Sequence, residues 1–230
     1  MQKLIDIFSN LIIPKCFGGN VDTEDYRAVG EWSYDVANNH LPMSAHYNYG
    51  VSKLAFIFED YNWVVKIPFN GYYSASWDEE KNTYSEDEEE FFSFQYAMND
   101  WDYCNTELEK YKKAIEKGLS CFFAETKYLC KGKNDHPIYI QEKVIPINED
   151  TLKRKPSKKS LKFAEKQYYF NSEWLATAVD FYGMNKVVEF LDYINNIDPE
   201  ISQDLHYGNY GYRLDGSPCL LDFSGWNEDI

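Results

Sequence analysis

Gln203-Asp204-Leu205-His206-Tyr207-Gly208-Asn209 and Leu220-Leu221-Asp222-Phe223-Ser224-Gly225 are the two stretches on which the fold turns. Between them, Tyr210 to Leu214 and Cys219 to Leu221 flank Asp215-Gly216-Ser217-Pro218, so the segment reads as a β-hairpin around a four-residue turn. Facing residues in a hairpin lie about 5 Å apart, which brings Asn209 and Asp222 together at its open end. A side-chain amide oxygen beside a carboxylate makes a pair of hard ligands, suited to Mg²⁺ that also holds phosphate oxygens.

Upstream, the pattern is β-rich first and helical later. Leu54-Ala55-Phe56-Ile57-Phe58 and Trp63-Val64-Val65-Lys66-Ile67-Pro68 read as strands joined by a turn at Glu59-Asp60-Tyr61-Asn62. Residues 1–40 mix short helical signals (Leu4, Ile5, Phe8, Leu11, Ile12) with a Gly18-Gly19-Asn20 break. From Thr106, the spacing of Leu108, Tyr111, Ala114, Ile115 and Leu119 predicts an amphipathic helix ending near Gly118. Strands are expected at Phe122 to Leu129 and Ile138 to Ile145, and helices at Ser172 to Phe181 and over Met184, Val187, Val188, Leu191 and Ile194. This order predicts an α+β protein in two lobes: a cap at 1–44, a β-rich N-terminal lobe at 45–143, and a small, mostly helical C-terminal lobe at 144–230.

Composition bounds the function. The 230 residues carry 23 Lys+Arg against 38 Asp+Glu, a formal charge of −15, so nucleic-acid binding by the whole surface is not expected. With 44% hydrophobic residues, 20 Tyr and 15 Phe, the chain is a folding one. No window approaches the roughly 18 apolar residues of a membrane helix. Five cysteines without a CxxC pair and an N-terminus without a cleavage signal are expected of a reduced, cytoplasmic protein. Two charge runs stand out. Eight of the thirteen residues from Asp78 to Glu90 are acidic and read as a solvated loop. Lys153, Arg154, Lys155, Lys158, Lys159, Lys162 and Lys166 invert the charge locally, which reads either as steering for an acidic partner or anionic substrate or as a plain surface loop.

The pattern D-L-H-x-x-N followed by D-F-x-G resembles the protein-kinase-like superfamily, and its catalytic loop is most similar to the aminoglycoside-phosphotransferase branch. The resemblance implies a two-lobed kinase-like fold over about residues 45 to 226 and an ATP- and Mg-dependent phosphotransferase acting on a hydroxyl of a protein or small molecule. On it, Asp204 would orient the acceptor hydroxyl or take its proton, and Asn209 and Asp222 would hold the metal. His206 would touch the γ-phosphate or the catalytic Asp. Lys66, in Val64-Val65-Lys66-Ile67, would neutralise the α- and β-phosphates. Glu107 would hold that lysine, preferred to Glu109 because Tyr111 and Ala114 follow it on one helical face. Tyr49-Gly50-Val51-Ser52-Lys53 would be a sparse glycine loop over the nucleotide, with Gly50 and Ser52 near the phosphates, and backbone groups from Glu142 to Val144 would bond adenine.

The sequence also departs from the family. Ser202-Gln203 precedes Asp204 where His-Arg or His-Gly is usual, and only eight residues follow Asp222, so the peptide groove of protein kinases is not expected. Two alternatives follow: a pseudokinase-type protein that engages a partner without phosphoryl transfer, and an acidic mimic of nucleic acid. Nucleotidyl transfer on the same fold is equally compatible with these motifs. Taken singly, each residue has a plain structural reading: Lys66 a snorkelling strand lysine, Glu107 a surface partner of Lys110, His206 a hydrogen-bonded structural histidine.

Overall fold

A computed structural model of the protein describes residues 1–13, 24–41, 44–50, 53–68, 72–74, 77–78, 83–84, 91–93, 102–147, 155–167 and 169–225. The fold is α+β, with an antiparallel sheet region first and helices after it. The chain packs as two units, Met1–Asn105 with Lys127–Gln141, and Thr106–Thr126 with Glu142–Ile230.

The first unit contains α1 (Gln2–Phe8), α2 (Glu24–Asp35) and a π-helical turn at Val36–His40. These precede β1 (Ala45–Tyr49), β2 (Lys53–Phe58) and β3 (Trp63–Pro68), which pair antiparallel. Two short antiparallel pairs follow: β4 (Tyr72–Ser74) with β7 (Phe91–Ser93), and β5 (Trp77–Asp78) with β6 (Thr83–Tyr84). After α3 (Tyr103–Glu116), β8 (Thr126–Lys131) and β9 (Pro137–Glu142) complete a five-stranded sheet of order β1-β2-β3-β9-β8. Alternation along β2 puts Leu54, Phe56 and Phe58 on one face, all fully buried. Val65, Ile67, Ile138 and Ile140 join them, and Leu4, Phe8, Leu11, Ile13, Val36 and Leu41 from the N-terminal segment pack into the same core. The N-terminal segment thus supplies seven of the fifteen buried residues of this hydrophobic core.

In the second unit, β10 (Ile145–Pro146), β11 (Tyr210–Tyr212) and β12 (Pro218–Leu220) form a small antiparallel sheet. The helices are α4 (Lys158–Ala164), α5 (Ser172–Tyr182), α6 (Met184–Asp192), which runs into a π-helical turn at Tyr193–Ile197, and α7 (Pro199–Gln203). Asn171 caps α5 by accepting from the Trp174 amide at 2.9 Å, leaving Trp174 to enter the core and donate to the Gly211 carbonyl at 3.1 Å. Around it pack Phe122, Phe123, Phe190, Tyr193, Tyr210 and Phe223, with the Phe122 and Phe190 rings stacked at 4.3 Å.

Several expectations hold and several move. The hairpin over Leu54 to Pro68 is present, with Phe56 opposite Val65 and Ala55 opposite Lys66. The strand expected from Phe122 begins at Thr126, because Ser120–Phe122 forms a 3-10 turn that drives Phe122 and Phe123 into the helical core. The strand over Ile138 to Ile145 is split between the two sheets, ending in β9 and resuming as β10 opposite Tyr212. Within the acidic run, Asp78 and Thr83-Tyr84 form the β5–β6 pair rather than a loop; its other residues lie outside the described ones. The basic run includes α4, whose Ser157 cap accepts from the Ser160 amide at 3.2 Å. Among the described residues, Cys104, Cys121, Cys130 and Cys219 are free thiols, and no helix is long and apolar enough to cross a membrane.

Candidate functional site

The expected hairpin is formed by β11 and β12, with Tyr210 opposite Leu220 and Tyr212 opposite Pro218. At its open end, the Leu221 amide donates to the Asn209 carbonyl at 2.9 Å, so Asn209 and the residue before Asp222 are locked together. Asn209 is fully buried, and its Nδ2 donates to the Asp204 main-chain carbonyl at 2.8 Å. That bond fixes the amide orientation. With the NH₂ group committed, Oδ1 is the only Asn209 side-chain atom that can act as a cation ligand.

Asp204 is the residue that ends α7, and half-buried. His206 is exposed, and its ring folds back so that Nδ1 accepts from the Gly208 amide at 3.1 Å. A Cβ on residue 208 would lie 3.0 Å from His206 Cε1, so a glycine there is what lets the imidazole lie against its own turn. With Nδ1 accepting, the neutral ring carries its proton on Nε2. The Asn209 amide closes the turn on the His206 carbonyl at 3.0 Å.

Asp222 is half-buried, and Ser224 Oγ donates to its Oδ1 at 3.3 Å. Phe223 is 1% exposed and meets Phe123 edge-on at 5.1 Å, anchoring the segment in the aromatic core. Gly225 has φ +79° and approaches α7 so closely that a Cβ would stand 2.8 Å from the Glu200 carbonyl oxygen. Thus α7, the Asp204 turn and the Asp222 segment converge at one place in the second unit. The donor set is one amide oxygen and one or two carboxylates. These are hard oxygen donors, the type that Mg²⁺ takes alongside water and phosphate. Among the described residues, no group of three or more His, Cys, Asp or Glu side chains is placed to hold a metal ion.

The other residues read from the sequence are placed as follows. Lys66 is 7% exposed in the middle of β3, on the sheet face opposite Val65 and Ile67. Gly50 donates its amide to the Lys53 carbonyl at 3.0 Å, and among the described residues beyond its chain neighbours none lies within 4 Å of the Cβ it lacks. Ser52 lies outside the described residues. Glu107 is fully buried on α3, whereas Glu109 is exposed and paired with Lys112 at 2.8 Å. The Glu142 amide is already used, donating to the Glu125 carbonyl at 2.7 Å, and its carboxylate takes Arg213 Nε at 2.9 Å. Val144, half-buried, lies between β9 and β10.

Two charged features escaped the sequence reading, while the basic run that it singled out falls at α4. Lys110 is no surface partner of Glu107: it is 4% exposed and bonds Asp198 Oδ1 and Glu200 Oε2, each at 2.8 Å. Arg213 ties Glu142 to the carbonyls of Cys121 at 2.9 Å and Phe123 at 2.8 Å. Lys155, Lys158, Lys159, Lys162 and Lys166 are all exposed around α4, where Ser157 and Ser160 are tied to Asp180 on α5. A cavity of about 370 Å³ lined by Lys155, Pro156, Thr177, Asp180 and Phe181 touches none of the motif residues. Burial pushes the hydroxyls of Tyr193 and Tyr210, beside the site, up to about 12, so neither is an acid or base near neutrality. Compared with known proteins, the chain matches no family model and no curated protein.

Proposed function

We propose that the protein is an ATP- and Mg-dependent phosphotransferase acting on a hydroxyl, built on a two-lobed protein-kinase-like arrangement. The observation that carries this reading is the pair of bonds at Asn209. Its side-chain amide on the Asp204 carbonyl and its own carbonyl under the Leu221 amide tie Asp204, Asn209 and the residue before Asp222 to one another, which supports reading the three as an acid and two metal ligands. In this reading Asp204 orients the acceptor hydroxyl and takes its proton as the new P–O bond forms and the γ-phosphoryl bond to ADP breaks. Asn209 Oδ1 and Asp222 hold the cation, which when bound offsets the charge on the phosphate oxygens. Lys66 serves the α- and β-phosphates with Glu107 as its partner, His206 presents Nε2–H toward the γ-phosphate, and adenine is met by the backbone near Val144. Placement and charge account for the rate, because phosphoryl transfer needs little covalent help from the protein.

The test is ADP formation and label transfer from γ-labelled ATP, with Mg²⁺ and a panel of protein and small-molecule hydroxyl acceptors. Wild-type protein is expected to turn over and Asp204→Ala to lose at least about a hundredfold in kcat. Mg·ATP binding without transfer would point to the pseudokinase-type binding protein instead. Absence of both binding and transfer would refute the reading, and a product carrying AMP would make it a nucleotidyl transferase.

A further inference from the structure

The cluster of Lys110, Asp198 and Glu200 has no part in the chemistry proposed above, yet it joins the elements that carry it. Lys110 lies one turn beyond Glu107 on α3, and its ammonium is enclosed at 4% exposure. Asp198 precedes the first residue of α7 at 8% side-chain exposure without a side-chain cap bond, Glu200 sits in the first turn of α7 at 48%, and Asp204 ends that helix.

A five-residue helix does not hold itself together in water. Its fixed points here are the buried Ile201, the Lys110 ammonium and the Gly225 backbone packed on Glu200. Burying the Lys110 and Asp198 charges is a poor way to gain stability, since desolvation offsets most of the attraction; what such a pair supplies is geometry. Asp198 Oδ2 has no protein partner among the described residues, so Lys110 is what compensates this carboxylate.

We infer that Lys110 is a positioning residue. By holding Asp198 and Glu200 it sets the placement of α7, hence of the Asp204 turn at one end and of the Asp222–Gly225 segment lying against it. This inference rests on the phosphotransferase reading for its catalytic consequence but not for its structural one, and the two are read separately.

The experiment compares full-length wild type with Lys110→Met, Lys110→Arg and the milder Glu200→Gln, whose residue is half-exposed. Amide hydrogen exchange is followed at residues 203–209, 221–225 and, as a reference, α5. ADP formation is measured alongside. In Lys110→Met we expect exchange at 203–209 and 221–225 to quicken by about tenfold or more, with α5 unchanged. We expect kcat to fall by about tenfold or more while KM for Mg·ATP stays within about threefold. Glu200→Gln should move both readouts the same way by less, and Lys110→Arg should restore both to within about threefold of wild type. Unchanged exchange at the two segments would overturn the inference. So would a uniform rise that includes α5, which marks a plain scaffold residue, or a local rise with kcat unaltered. Should wild type form no ADP, the phosphotransferase reading falls, and the exchange pattern alone decides whether Lys110 positions α7.

Discussion

Asn209 shows how one side chain can settle two questions. Its Nδ2 donates to the part-buried Asp204 carbonyl, and the same bond leaves Oδ1 as the side-chain atom able to accept. Away from the site, His136 is held in a comparable way: Nε2 donates to the Pro68 carbonyl at 2.7 Å, with the ring 8% exposed. Burial pushes its pKa below the ordinary value of 6.5, against the opposing pull of the Pro68 bond and Asp102. The sign follows directly. Above pH 6.5 the ring is neutral in both folded and unfolded chains and its contribution is complete; as pH falls below 6.5 the unfolded chain gains the proton first, and stability is lost until the folded value is passed. Thermal unfolding from pH 8 to 5 is therefore expected to show a midpoint that drops below about pH 6.5. In His136→Gln, whose amide still donates but does not titrate, that part of the slope should vanish. A slope identical in both proteins would remove His136 from the account.

At the scale of elements, Arg213 is the residue that closes the small sheet of the second unit onto the chain before it. It spans Glu142, Cys121 and Phe123 at 18% side-chain exposure. Arg213→Met would take the cation from the half-buried Glu142 carboxylate and the side-chain donor from the Phe123 carbonyl, while the Cys121 carbonyl keeps the Tyr182 hydroxyl, so a loss of about 3 kcal/mol in chemical denaturation is expected. A loss under about 0.5 kcal/mol would mean that water replaces the guanidinium freely. The same residue shows why part of the architecture was hidden. Turn chemistry at Asp215-Gly216 and the alternation in β2 are local signals, so the β11–β12 and β2–β3 hairpins were legible. Helix α3 was legible, with Glu107 and Ala114 inward as expected, but Cys104 and Lys110 are also buried there while Ile115 is 54% exposed. Apolar periodicity cannot reveal a lysine that goes inward to meet Asp198 and Glu200, because those acids lie 88 and 90 residues away. For the same reason the motif residues 204–209 and 222 could be picked out by local pattern, whereas Arg213 and Lys110 could not.

For the whole molecule, two cores divide the work. One is an aliphatic and aromatic layer beneath the five-stranded sheet, to which residues 1–41 contribute Leu4, Phe8, Ile13 and Val36. The other is an aromatic cluster around Trp174 and Phe190 that carries the Asp204, Asn209 and Asp222 segments on its edge. A charge of −15 repels polyanions at long range, and the exposed lysines around α4 form a local exception. The role proposed for Asn209 and Asp222 is to hold a divalent cation together with nucleotide. It is tested most directly by titrating Mn²⁺, as a paramagnetic stand-in for Mg²⁺, against the full chain with a non-hydrolysable ATP analogue, and counting free ion by electron paramagnetic resonance. Wild type is expected to bind the ion in a nucleotide-dependent way, with affinity falling at least about tenfold in Asp222→Ala and in Asn209→Ala. Equal Mn²⁺ binding in all three proteins, or none in wild type with nucleotide present, would contradict the claim.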